Sequence, residues 1–143
     1  MIEYKLRKAI KSDIDFIIDL EKSSLHDYFV ELHGKWETDL TKDTVKLEHY
    51  YIIQIDKKSA GYINYWQEED FYTIDKFYIL PKFQSQGIGK KLLKKVLNEV
   101  AAKNLKLVLL VLINNIKAQK FYLKNGMKEV YRNKEVVLIE FRK

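Results

Sequence analysis

Between Leu80 and Leu93 a strand-like run stops at Pro81, and Gln84, Ser85, Gln86, Gly87, Ile88 and Gly89 open a helix. The chemistry this spacing favours is the holding of an anion. Glycines at 87 and 89 let a ligand come close to the main chain. The N–H groups there belong to a helix N-terminus, which lacks internal acceptors and carries partial positive charge. A dinucleotide fingerprint would need three glycines and an acidic residue about twenty positions on, and a Walker A loop would need Gly-Lys-Ser/Thr, so the turn is neither. Its alternative is a tight strand-to-helix connection with no ligand.

Other residues could do chemistry only in certain ways. The 143-residue chain has no cysteine, which excludes disulfides, thiolate metal sites and a cysteine acyl-enzyme. His26, His33 and His49 lack the i,i+4 spacing and acidic neighbours of a zinc helix, so no metal site is expected. Asp75 falls on a strand, on the face of Phe77 and Ile79 if alternation holds, and reads either as a general base or as an exposed strand-edge carboxylate. Glu68, Glu69 and Asp70 form an acidic loop before it, normally solvated but able to attract a cationic amine. Asn115 stands where a helix begins and is a good N-cap. Tyr122 is one of ten tyrosines, and a buried tyrosine needs a partner for its hydroxyl. Lys90 and Lys91 could approach a phosphate and Lys124 a ligand beyond it, with a solvated helix face as the alternative for each.

The elements that must position these groups follow from periodicity. Ile88, Leu92, Val96 and Val100 recur every four residues with Leu93 and Leu97 beside them, while Lys90, Lys91, Lys94 and Lys95 fall elsewhere, so an amphipathic helix follows the turn. Asn104 can end it in a left-handed turn. Lys106 to Leu112 is an almost unbroken apolar run, suited to a strand buried on both faces. A helix from about Ile116 to Asn125 stops at Gly126, and Met127 to Tyr131 pairs with Glu135 to Phe141. Upstream, Tyr4 to Arg7 predicts a short strand, and Ser12 caps a helix with Asp13 and Asp15 in its first turn. Ser23 to Trp36 shows helical spacing at Leu25, Tyr28, Phe29 and Leu32, with Gly34 as a stop, and Thr38 to Lys46 is polar loop. Tyr50 to Ile55 and Ala60 to Gln67 form a hairpin, and Thr73 to Ile79 feeds the glycine turn.

Composition sets bounds on the whole. With 47% apolar and 13% aromatic residues and no Pro/Gly/Ser-rich linker, one domain spanning 1–143 is expected. No run approaches the ~18 apolar residues of a membrane span and no signal peptide opens the chain, so a cytoplasmic protein without a membrane partner is expected. A net charge of +6 is moderate. The spread of basic residues and the absence of RNA-binding or helix-turn-helix signatures argue against nucleic acid as partner. The strand Glu135 to Phe141 offers an edge for pairing between subunits, hence a homodimer.

The succession of strand, proline, Gln-x-x-Gly-x-Gly, long amphipathic helix, buried strand, then Asn115-x-x-Ala118-x-x-Phe121-Tyr122 and a helix stopped by Gly126 resembles the GCN5-related N-acetyltransferase (GNAT) family over nearly the whole chain. The resemblance implies an α/β (α+β) fold with a mixed, mostly antiparallel sheet of six or seven strands and helices on both faces. It implies acetyl-CoA as co-substrate and an amine acceptor. Main-chain groups of Phe77, Tyr78 and Ile79 would then pair with the pantetheine arm. N–H groups from Gln86 to Lys90, with Gln84 and Ser85 at the rim, would hold the pyrophosphate, and Asn115 and Phe121 would line the donor site. Tyr122 would protonate the departing thiolate, the general base would be Asp75, one of Glu68, Glu69 and Asp70, or a chain of waters, and Ser23 to Trp36 would lie on the acceptor side. The alternative is a non-catalytic acyl-CoA sensor of the same fold.

Overall fold

Asp56 and Lys57 both take left-handed φ, 50° and 66°, the conformation whose twist matches the strands a two-residue hairpin joins. The turn connects β2 (Tyr50–Ile55) to β3 (Lys58–Gln67), so the hairpin forms with its second strand starting at Lys58 rather than Ala60. The computed structural model describes residues 2–143. Its other elements are β1 (Lys5–Lys8), α1 (Ile14–His33), β4 (Phe71–Ile79), α2 (Ile88–Ala102), β5 (Lys106–Leu112), α3 (Ile116–Lys124), β6 (Lys128–Arg132) and β7 (Val136–Arg142). One sheet of seven strands runs in the order β1-β2-β3-β4-β5-β7-β6. β4 and β5 are parallel, whereas β1 with β2, β2 with β3, β5 with β7 and β6 with β7 are antiparallel. The mixed, mostly antiparallel α/β architecture is therefore the one the resemblance implies.

The chain forms two compact units. The first comprises residues up to Tyr65 with Lys76–Ile88, and the second Trp66–Asp75 with Gly89–Lys143. In the first, Tyr62 is fully buried and its hydroxyl donates to Ile17 O at 2.9 Å. Its ring meets Phe16, Tyr50 and Tyr78 at centroid distances of 6.4, 5.7 and 5.6 Å. A tyrosine whose polar end is satisfied can sit in a core at little cost. Ile17, Leu20, Leu40 and Ile52 complete this cluster. In the second unit the whole apolar stripe of α2 after its first residue is buried at Leu92, Leu93, Val96, Leu97 and Val100. Leu107, Leu109 and Val111 of β5 and Val137 and Ile139 of β7 are buried as well.

Three sequence expectations need correction. Ser12 is not the helix cap. It lies in a 3-10 turn, Lys11–Asp13, that runs straight into α1. The acidic residue at its end does the work of a cap by reaching backwards: Asp13 accepts from Ile10 N at 2.8 Å and from both terminal nitrogens of Arg7 at 2.8 and 2.9 Å. The two helical segments expected between Ser12 and Trp36 are one continuous helix of 20 residues, ended where Gly34 takes φ 85° and donates to Val30 O. The strand at the C-terminus, β7, lies between β5 and β6 and offers no free edge; the sheet edges are β1 and β6.

Candidate active site

In the first unit the glycine turn follows one 3-10 turn, Pro81–Phe83, at the end of β4. Ser85 (φ 62°) and Gly87 (φ 82°) carry the left-handed conformations, and Ser85, Gln86 and Gly87 are exposed. A Cβ built on Gly87 would meet no atom within 4 Å. The main chain there faces open space that an incoming group could fill. Gly89 already lies in the first turn of α2 without left-handed φ, so the conformational demand falls on Ser85 and Gly87. Ile88, 1% exposed, anchors the helix start beneath the turn. Gln84 does structural work whatever else it does: its Nε2 donates to Ile79 O at 2.7 Å and ties the turn to the end of β4. Gln86 Nε2 donates to Lys82 O at 3.3 Å, and Lys90 points to solvent. Phe77, Tyr78 and Ile79 are half-buried. β3 comes so close to them that a Cβ on Gly61 would stand 2.3 Å from Tyr78 O.

In the second unit the parallel ladder of β4 and β5 joins Phe71 to Lys106, Tyr72 to Leu107 and Thr73 to Val108, and stops there, although β5 continues to Leu112. Where the ladder stops, a cleft of about 210 Å³ opens, lined by Thr73, Ile74, Asp75, Val108, Leu109, Leu110 and Leu138. Leu110 is 62% exposed, so the floor is apolar and accessible. Asp75 lines this cleft as an exposed residue. Its assignment to the face of Phe77 and Ile79 does not follow from simple alternation. Glu68 N bonds Phe71 O and Leu80 N bonds Ala60 O, so seven residues of β3 (61–67) run beside eight of β4 (72–79). One residue of β4 is therefore bulged, and a bulge breaks the period of two.

α3 starts as expected, with the Asn115 side chain accepting from Ala118 N at 3.1 Å. Gln119, 6% exposed, is a residue the sequence did not point to. Its Nε2 donates to Leu112 O at 3.1 Å and Ile113 O at 2.9 Å, locking the start of α3 onto the end of β5. These three hydrogen bonds fix the start of the helix that carries Tyr122, which is 8% exposed and packs against the Phe121 ring at 5.1 Å. Among the described residues no partner meets the Tyr122 hydroxyl. Burial pushes its ionisation well above the ordinary phenol range, because the phenolate would have to form away from water. The ring is buried but the hydroxyl is not one of the buried side-chain atoms left without a partner, so its oxygen stays open to solvent and to an arriving group.

Of the histidines, His33 lies 4.5 Å from the Phe29 ring, His26 lies 6.1 Å from Trp36 and 3.0 Å from Asp27 Oδ1, and the main-chain O of His49 accepts from Asn64 Nδ2. A second group to which the sequence reading gives no role, although its helical spacing includes it, is Glu21, buried on α1 and paired with Lys76 of β4. Its signal was available, since Glu21 follows Ile17 by four residues on the apolar stripe, a place where a carboxylate needs a partner.

Comparison with known proteins bears on the family and the fold. The sequence profile of the acetyltransferase (GNAT) family matches residues 16–127. An uncharacterized N-acetyltransferase of Archaeoglobus fulgidus is 27% identical over 135 residues, covering 82% of this chain and 88% of the relative. A candidate ribosomal protein bS18-alanine N-acetyltransferase of Bacillus subtilis (strain 168) is 29% identical over 135 residues, covering 86% of this chain and 82% of the relative. Among solved structures, the PaiA N-acetyltransferase of Thermoplasma acidophilum, crystallised in complex with coenzyme A, superposes with a TM-score of 0.78 at 18% identity, covering 99% of this chain and 100% of that one.

Proposed function

This chain belongs to the acetyltransferase (GNAT) family, whose members take acetyl-CoA as co-substrate, and we propose that it transfers the acetyl group directly to a primary amine. The carrying observation is the cleft that opens where the β4–β5 ladder ends. The residues present fit the donor. The open, left-handed main chain at Ser85–Gly87 suits a diphosphate, and the partnerless Tyr122 hydroxyl suits a sulfur. N–H groups from Gln86 to Lys90 would bind the phosphates, with Gln84 and Ser85 shaping the turn. Main-chain groups of Phe77, Tyr78 and Ile79 would hold the pantetheine amides and polarise the thioester carbonyl, and Asn115 and Phe121 would border the arm.

The donor supplies an activated acyl carbon. The neutral amine nitrogen forms the new C–N bond, the C–S bond breaks, Tyr122 gives its proton to the leaving sulfur, and the proton that the nitrogen sheds in becoming an amide restores the phenol. In water a phenol near ~10 and a thiol near ~8.5 differ little. Burial raises Tyr122, but the same apolar surroundings would raise a thiolate beside it, so the proton still has no steep climb. Asp75, which lines the cleft, would receive the proton of an incoming ammonium. An α-amine near ~8 needs such help less than a lysine near ~10.4. One relative is named for an alanine acceptor, which makes an alanine-initiated peptide the first probe.

Isothermal titration with acetyl-CoA and a panel of amines tests the proposal: binding in the micromolar range with turnover of at least one amine is expected. Tyr122→Phe should keep donor affinity and lose about 10²–10⁴-fold in kcat. A chain that binds acetyl-CoA but acetylates no amine would be the acyl-CoA sensor instead, and one that binds none would refute both.

A further inference from the structure

Glu21 is 3% exposed, and no step of the proposed reaction uses it. Its Oε2 lies 2.6 Å from Lys76 Nζ on β4, and its Oε1 accepts from Thr38 Oγ1 at 2.6 Å. Thr38 Oγ1 in turn accepts from Leu40 N at 3.0 Å, and Leu40 is buried in the core of the first unit. Glu21 is thus a three-way junction of α1, β4 and the segment that returns after Gly34. A pair this deep adds little net stability, since desolvation offsets much of the attraction. Separating its members is another matter, because Glu21 would be left as an uncompensated buried charge. Such a junction restrains geometry more than it stabilises.

The restraint falls where the core supplies least. α1 has no fully buried residue after Glu21, although it continues to His33. Beyond Glu21 the helix is half-buried and meets the return segment through Phe29 and His26 against the Trp36 ring, at 5.5 and 6.1 Å, so the Glu21 junction is the last fully buried tie of α1 and Thr38 joins it to the return segment. Lys76 immediately precedes Phe77, Tyr78 and Ile79. We propose that Glu21, Lys76 and Thr38 are positioning residues for the acceptor: they hold the C-terminal half of α1 and the return segment 34–40 in fixed register with the strand assigned to the donor arm. This rests on the acetyltransferase assignment above, in which residues 23–36 lie on the acceptor side.

The test replaces the pair as a pair. The double variant Glu21→Leu/Lys76→Met exchanges a buried carboxylate and its half-buried partner ammonium for apolar side chains of similar volume, a change that folded proteins commonly tolerate. Lys76→Arg keeps the charge and serves as the conservative control. The readouts are CoA affinity by calorimetry, steady-state kinetics with an alanine-initiated peptide and with spermidine, and hydrogen exchange across 22–40 with and without CoA. For the double variant, CoA affinity and the KM for acetyl-CoA should stay within about twofold of the parent, while the KM for the amine rises about tenfold or more. Lys76→Arg should remain within about threefold of the parent in every constant. CoA should slow exchange across 22–40 in the parent and not in the double variant. Parent-like amine KM with parent-like CoA-induced protection in the double variant overturns the proposal. So does a uniform loss in all constants, which would mark a purely structural role. A parent that binds no CoA overturns the donor assignment and this inference together. A parent that binds CoA but acetylates neither amine leaves the exchange measurement to decide.

Discussion

Replacing Gly61 with alanine adds one methyl group at the most crowded main-chain contact beside the assigned donor strand. The new Cβ would stand 2.3 Å from Tyr78 O and 2.9 Å from Ile79 Cα, where ordinary contact begins near 3.4 Å, so β4 must retreat by about 1 Å. Both clashing atoms are backbone, and no rotamer change can relieve them. Overpacking of this kind costs about 1–3 kcal/mol, which for a chain of this size lowers Tm by about 3–12 °C. The functional effect should be larger than the loss of stability suggests. If Tyr78 and Ile79 hold the donor through their main chain, a 1 Å displacement costs about 10²-fold in rate, and CoA affinity should fall with it. Thermal unfolding and CoA titration on Gly61→Ala measure the two effects separately. A lowered Tm with parent-like CoA affinity would refute the role given to Tyr78 and Ile79. Parent-like values of both would refute the packing argument itself.

Three further outcomes follow from individual groups. Burial holds Tyr122 protonated beyond the ordinary phenol range, so no alkaline limb of kcat below pH ~10 should trace to it. Its contribution to stability should be complete below the unfolded value near ~10 and be lost as pH rises through the raised folded value. This is checked by comparing pH-dependent unfolding of the parent and Tyr122→Phe. The two hydrogen bonds from Arg7 hold the Asp13 carboxyl below the usual carboxylate range, against the opposing effect of burial. Stability from Asp13 is therefore present above pH ~3.9 and lost as pH falls through its depressed value, and Asp13→Asn should cost about 1.5–3 kcal/mol at pH 7 and flatten the acid limb. Gln119→Ala removes the donor to Leu112 O and Ile113 O. It should cost about 1–2 kcal/mol in denaturant unfolding, and it should lower kcat by loosening the start of α3.

The elements with a clean period could be read before any coordinates existed. The α2 stripe, the apolar run of β5, the Asn115 cap and the stop at Gly126 depend on residues within a few positions of one another, and local sequence carries local physics. The same holds for the turn after Pro81, although the work of its left-handed positions went to Ser85 and Gly87 rather than to both glycines. What the chain could not announce was pairing over distance. The bulge in β4 exists only because β3 runs beside it. The inner place of β7 is set by β6 passing to its far side, and the burial of Glu21 is tolerable only because Lys76, 55 positions away in the chain, arrives with the opposite charge. The single helix from Ile14 to His33 is a further case, since nothing between Ile14 and Gly34 breaks a helix and its far half is held by residues beyond it in the chain, Lys76 and Thr38 at Glu21 and the Trp36 ring at Phe29. Periodicity is a property of neighbours along the chain, whereas register, edges and compensated charges are properties of neighbours in space.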